Sequence, residues 1–157
     1  MLINIRSGCM KYFKSVSVVF VFLLSLLLTA CASNQGIGNY NVNQALNTMP
    51  PEVKAKLGNF KFYFGEAAPN KNAKDLGEIQ TSLRTNSFAK EPQVSCYWVF
   101  YSALVSLKNQ AEAKGANAVS NIQSNWKNNT LNSNSVYVCD NGLLMSGVAL
   151  KGKAIKE

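Results

Sequence analysis

Hydrophobic positions along the chain fall into an unbroken block, a polar stretch and a long periodic region. Residues 16–30 are almost wholly apolar, shorter than the about 20 residues a spanning helix needs. Residues 34–47 are rich in Asn, Gln and Gly, which predicts a tether between the N-terminus and a folded domain at 48–157. Within residues 43–57 a helical pattern is interrupted by Pro50-Pro51, predicting a short helix, a turn and a second turn of helix ended by Gly58. Phe60 to Phe64 reads as an aromatic strand stopped by Gly65 and a loop with Pro69 and Asn70. Residues 76–83 read as a second strand, in which Gly77 permits a bulge or close packing.

Between residues 95 and 114 the period changes. Cys96, Val99, Phe100, Ala103, Leu104, Leu107 and Ala111 recur at spacings of three and four, the stripe of an amphipathic helix. Tyr97, Trp98, Tyr101 and Val105 lie off that stripe, so the first turns are apolar nearly all round. Burial under the N-terminal segment accounts for this pattern, and an exposed aromatic patch for a partner is the alternative. Gly115 suits a C-cap, and residues 117–126 follow as a strand. After a polar turn at 127–134, Val136 to Cys139 alternates as a strand, Asp140-Asn141-Gly142 marks a hairpin, and 143–155 supplies a last strand. Gly147 and Gly152 suggest a bulged or edge-like course for it. This order predicts an α+β fold: one mixed or antiparallel sheet of about five strands covered by the long helix at about 95–114.

The apolar block is preceded by Arg6, Lys11 and Lys14, and small residues end it, the three regions of a secretory signal peptide over 1–30. Leu28-Thr29-Ala30-Cys31 resembles the bacterial lipobox, in which small residues admit the peptidase and the thiol of the first mature residue, here Cys31, carries the lipid. The alternative is an uncleaved anchor helix. Met10-Lys11-Tyr12-Phe13-Lys14 makes a more usual signal start than Met1, which would leave Cys9 untranslated. Residues 32 and 33 are Ala and Ser with no Asp, which by resemblance to enterobacterial lipoprotein sorting rules implies export to the outer membrane, facing the periplasm. Residues 1–30 hold three of the 16 basic residues and none of the eight acidic ones, so without them the net charge falls from +8 to about +5. That is mildly basic, and no nucleic-acid partner is expected.

The address changes the cysteine arithmetic. With Cys31 lipidated and Cys9 discarded, Cys96 and Cys139 remain as a pair in an oxidising compartment. A disulfide between them closes a loop of about 44 residues and contributes roughly 3–4 kcal/mol. Two separately buried thiols are the alternative. The chain has no histidine and no CxxC spacing, so no zinc site or other cofactor is expected, and Ser-His-Asp and Cys-His catalysis are excluded. Glu66, Asp75, Glu78 and Glu91 show no spacing that selects an acid and base pair. Lys151, Lys153 and Lys156 alternate near the end, read as a solvated strand edge or as a contact with anionic headgroups.

Three short stretches carry a resemblance: Asp75-Leu76-Gly77-Glu78-Ile79, Ala111 through Gly115-Ala116-Asn117-Ala118-Val119, and Gly147-Val148-Ala149-Leu150. Over about residues 60–155 the chain resembles the domain shared by the Rcs stress-sensing outer-membrane lipoproteins and the YbjQ-type domains. A second set is Phe62-Tyr63-Phe64-Gly65, Cys96 to Leu107, Gly115 to Ser124, Cys139 to Gly142 and Met145 to Gly152. It is similar to a family of small proteobacterial lipoproteins often labelled "excinuclease ATPase subunit". The label conflicts with the chemistry, because neither a GxxxxGK[ST] phosphate loop nor zinc-binding cysteines are present. No ATP is expected as a ligand. The resemblance implies a disulfide-braced envelope domain in which Cys96 and Cys139 occupy places compatible with a bridge.

Together these readings predict a non-enzymatic envelope lipoprotein, membrane-bound through Cys31. Its domain contacts another envelope protein as a sensing or assembly module, with Trp98, Tyr101 and Trp126 as candidate contacts. The alternative is a small-ligand or metal-binding periplasmic domain, with Trp126 and the Asn-rich turn as its contact, and a hydrolase is the third choice.

Overall fold

A computed structural model describes residues 35–67 and 69–157; the signal peptide expected over 1–30 and the expected lipidation site Cys31 lie outside the described residues. The elements are β1 (Gly36–Asn41), α1 (Val42–Asn47), α2 (Pro51–Leu57), β2 (Lys61–Phe64) and β3 (Lys74–Asn86), followed by α3 (Pro92–Ala113), β4 (Ala118–Trp126), β5 (Asn129–Leu131), β6 (Val136–Asn141) and β7 (Met145–Lys156). The fold is α+β: one mixed, curled sheet of seven strands with the 22-residue α3 packed against it.

The spine of the sheet is β7. One of its edges pairs antiparallel with β3 from Lys74↔Lys156 to Asn86↔Met145. Along the other edge it meets β4 over its C-terminal half and β6 only at Asp140↔Gly147 and Asn141↔Ser146. Strand β2 runs parallel to β4, β5 folds back antiparallel on β4, and β1 pairs with β6. An edge-like course for the last strand is therefore corrected: β7 is central. Its lysines are tolerated there because Lys151 and Lys153 alternate onto the sheet face that α3 leaves open, while Val148, Leu150 and Ala154 point into the core. The expected bulge at Gly77 is present in β3, where the register shifts between Asp75 and Glu78. Gly77 has φ +103°, a region open to glycine, and its N–H donates to Asp75 Oδ1 at 2.8 Å.

Two further corrections concern strand number and the domain boundary. The sequence pattern predicts about five strands, and β1 and β5 are the two it misses. The tether predicted for 31–47 gives way to an ordered strand and helix from Gly36 onward, so the domain begins there rather than at residue 48. The backbone of β1 supplies what its composition lacks, pairing with β6 through six register positions, while Tyr40 packs on Tyr137 with ring centroids 5.9 Å apart. Asn41 then ends the strand and caps α1, its Oδ1 accepting from Gln44 N at 2.9 Å.

The core lies between α3 and the sheet. Fully buried Val99, Phe100, Ala103, Leu104, Leu107 and Ala111 are the sequence-predicted stripe, facing Val119, Ile122, Val148 and Leu150. The off-stripe residues Tyr97 and Tyr101 are buried too. Tyr101 donates its hydroxyl to the carbonyl of Ala45 in α1 at 2.8 Å, so the N-terminal segment does cover this part of the helix.

Candidate functional site

Cys96 opens the buried face of α3 and Cys139 faces it from β6, and the two sulfurs are bonded, with Cα atoms 5.9 Å apart. Next to them Tyr137 donates its hydroxyl to the Cys96 carbonyl at 3.2 Å and stacks on Phe100 at 4.0 Å and 13°. Burial pushes the Tyr137 hydroxyl pKa well above its ordinary value, so it stays protonated as a donor. A second buried cluster, Ser95, Asn141 and Ser146, satisfies itself at 2.7–3.1 Å and ties the start of α3 to the start of β7. Both groups brace the fold.

The three aromatic contact candidates do not form one surface. Trp98 is 40% exposed on α3 and meets Tyr101 edge to face at 6.0 Å and 73°, but Tyr101 itself is only 3% exposed and spent on Ala45. Trp126 is buried on the opposite face of the sheet, where its Nε1 donates to Asp140 Oδ2 at 3.0 Å and Arg84 stands 5.8 Å over the ring. Of the three candidate contacts, burial leaves Trp98 alone exposed. An aromatic at helical spacing carries no mark of which neighbour covers it, so tertiary packing made this decision.

Gly147 lies under the Trp126 ring with no room for a side chain. Beside it, Gln80, Ser82, Arg84, Asn125, Lys127 and Ala149 line an open cleft of about 460 Å³ on the uncovered sheet face. Lys127 also pairs with Asp140 at 3.3 Å, whereas Arg84 has no carboxylate partner among the described residues. The cleft is lined by two cations and no carboxylate.

A different feature was hidden from the sequence pattern. All the large apolar side chains that stand well exposed among the described residues gather at one end of the domain: Ile37, Phe88, Val94, Trp98, Leu143, Leu144 and Met145. Register places them together, since Asn86 pairs with Met145, Ile37 with Asp140, and Ser95 in the first turn of α3 bonds to Ser146. The signal that could have found them is the run Leu143-Leu144-Met145 directly after Asp140-Asn141-Gly142, apolar residues where a turn should be polar. The opposite end, where β7 finishes, is charged, with Lys74, Lys114, Lys156 and Glu157. There the Glu157 carboxylate accepts from Lys61 at 2.7 Å, Asn70 N at 3.0 Å and Tyr63 at 2.8 Å. Those bonds hold its pKa down to about 2.

Residues 147–153 read G-x4-G-K, but Ala154 stands where a phosphate loop has Ser or Thr, and the segment is extended strand within β7 rather than a loop before a helix. Nothing there can cradle a phosphate in the way of an ATPase. Among the described residues no group of three or more His, Cys, Asp or Glu side chains comes together, and no helix is long and apolar enough to cross a membrane. Comparison with protein-family models, curated proteins and solved structures finds no match.

Proposed function

We propose that the protein is a bacterial envelope lipoprotein, held at the outer membrane by lipid on Cys31, whose domain acts by binding another envelope protein rather than by catalysis. The observation that carries this reading is Trp98, a tryptophan 40% exposed on the long helix whose other face fills the core. Tyr101 supports its ring edge-on, and Tyr101 is itself held by Ala45, so Trp98 presents a large apolar face with little side-chain entropy left to lose. Val94 extends that face one turn towards the helix start.

Photo-crosslinking in living cells tests this, with the reactive residue replacing Trp98 and, as a control, Lys153 on the other sheet face. A discrete protein adduct at position 98 and none at 153 supports the reading; absence of any protein adduct at 98 removes it. A second reading, a small anionic ligand in the cleft beside Trp126, is favoured by Arg84, which has no carboxylate partner among the described residues, and by the lack of a lining carboxylate. It predicts a ligand-dependent rise in stability, about 2.7 kcal/mol at a hundredfold excess over Kd, that Arg84→Gln reduces.

A further inference from the structure

We infer that the apolar tip of the domain, Leu143, Leu144 and Met145 with Phe88 and Ile37, seats in the interfacial layer of the same membrane that holds the lipid of Cys31. The inference rests on the lipid-anchor reading and adds an orientation to it: the β6–β7 end faces the bilayer and the Lys114 end faces away.

Four observations carry it. First, position along the chain: Gly36, which pairs with Asn141 at the base of the tip, comes only five positions after Cys31. Fully extended, those five steps span at most roughly 18 Å, so a lipid on Cys31 keeps this end of the domain close to the headgroups. Second, the exposure is one-sided, with the large exposed apolar residues at this end and charged residues at the other. Third, three carbonyls of the tip already have partners. Gly142 N donates to the Met145 carbonyl at 2.9 Å, Ser87 N to the Leu144 carbonyl at 2.9 Å, and Ser87 Oγ to the Gly142 carbonyl at 2.7 Å. Seating the tip therefore does not carry the carbonyls of Gly142, Leu144 and Met145 bare into an apolar layer. Fourth, charge beside the tip is balanced, because Lys90 and Glu91 follow Phe88 as neighbours of opposite sign. Burial of apolar area rather than attraction to anionic lipid is then the binding force, with side chains reaching the boundary between headgroups and acyl chains.

The test uses the full lipidated chain, reconstituted in phosphatidylethanolamine and phosphatidylglycerol vesicles. Leu144→Cys is labelled with an environment-sensitive fluorophore, Lys114→Cys serves as control, and some vesicles carry doxyl-labelled lipid as a quencher. The expected result is a blue-shifted emission at 144, quenched several-fold more strongly by doxyl lipid than at 114 and unchanged in high salt. Emission at 144 as solvent-exposed as at 114 overturns the inference. A label that is shielded but not quenched by doxyl lipid also overturns it, since the tip is then covered by a second copy or another protein. Intact mass of the same preparation separates the two levels: lipid present with an exposed label refutes the tip alone, whereas absence of lipid refutes the anchor and the orientation with it.

Discussion

Cutting the Cys96–Cys139 bond should loosen the ribbon of β1 and β6 before the rest of the sheet. That ribbon is well paired internally but joins β7 at two register positions only, whereas β3 and β7 share a ladder along nearly their full length. The bridge spans 43 residues. Closing a loop of that length restricts the unfolded chain by roughly 13 cal/mol/K, about 4 kcal/mol at room temperature. What else anchors β6 to the helix is smaller: the hydrogen bonds from Tyr137 to Cys96 and from Ser95 to Asn141, about 1 kcal/mol each, and the stacking of Tyr137 on Phe100, also about 1 kcal/mol beyond area burial. The staple therefore outweighs the specific contacts beside it. Cys96→Ala with Cys139→Ala should lower the stability of the mature chain by about 4 kcal/mol, a fall in Tm of roughly 15 °C for a domain of this size. Amide exchange read by mass spectrometry should rise first over 36–41 and 136–141, with β3 and β7 still protected. A loss below about 1 kcal/mol would refute the loop-entropy argument. Exchange rising equally in β3 and β7 would refute the picture of a separately moored ribbon.

Three further outcomes are expected. Gly147→Ala puts a methyl within 2.7 and 2.9 Å of Trp126 ring atoms, beside an indole tethered to Asp140. Urea melts should show a loss of about 1–3 kcal/mol, and wild-type stability would contradict the packing described. Tyr101→Phe removes the bond to Ala45 and should cost about 1 kcal/mol while leaving crosslinking at Trp98 intact, which separates the brace from the contact. Glu157 has its pKa lowered to about 2 by Lys61, the Asn70 N–H and Tyr63, so its contribution is fully present above the ordinary carboxylate range and is lost as pH falls towards 2. Glu157→Gln should accordingly be less stable than wild type at neutral pH and converge with it in acid; a gap that persists unchanged into acid would exclude the titration.

How far the fold could be read beforehand follows from which elements bury a periodic face. α3 was legible because its stripe runs at spacings of three and four for the length of the core, and the bulge at Gly77 because glycine is out of place inside a strand. β1 was not legible: Gly-Ile-Gly-Asn-Tyr-Asn has no alternation of its own and becomes a strand only because β6 offers it an open edge. β5 was missed for a local reason, since Lys127 and Asn128 turn the chain with φ of 53° and 64° without the Asn-Gly or Asp-Gly pair that usually signals such a hairpin. β7 was misplaced because alternating lysines look the same on an edge strand and on a central strand with one uncovered face. For the candidate site, cysteine parity pointed to the residues that the structure joins, but exposure did not follow from residue type. Tyr101 and Trp126 are buried, while Leu143 and Leu144, which read as the start of a strand, stand in the open.

The central claim is that this domain hangs from a lipid at the cysteine just before its first strand. It is tested most directly by intact mass spectrometry, with fragmentation of the N-terminal peptide, on protein extracted from bacterial membranes. The account predicts a mature chain beginning at Cys31, with a diacylglycerol-type lipid mass on that residue, and an unprocessed precursor from Cys31→Ala. A chain that retains residues before Cys31, or that begins there without lipid, would contradict it.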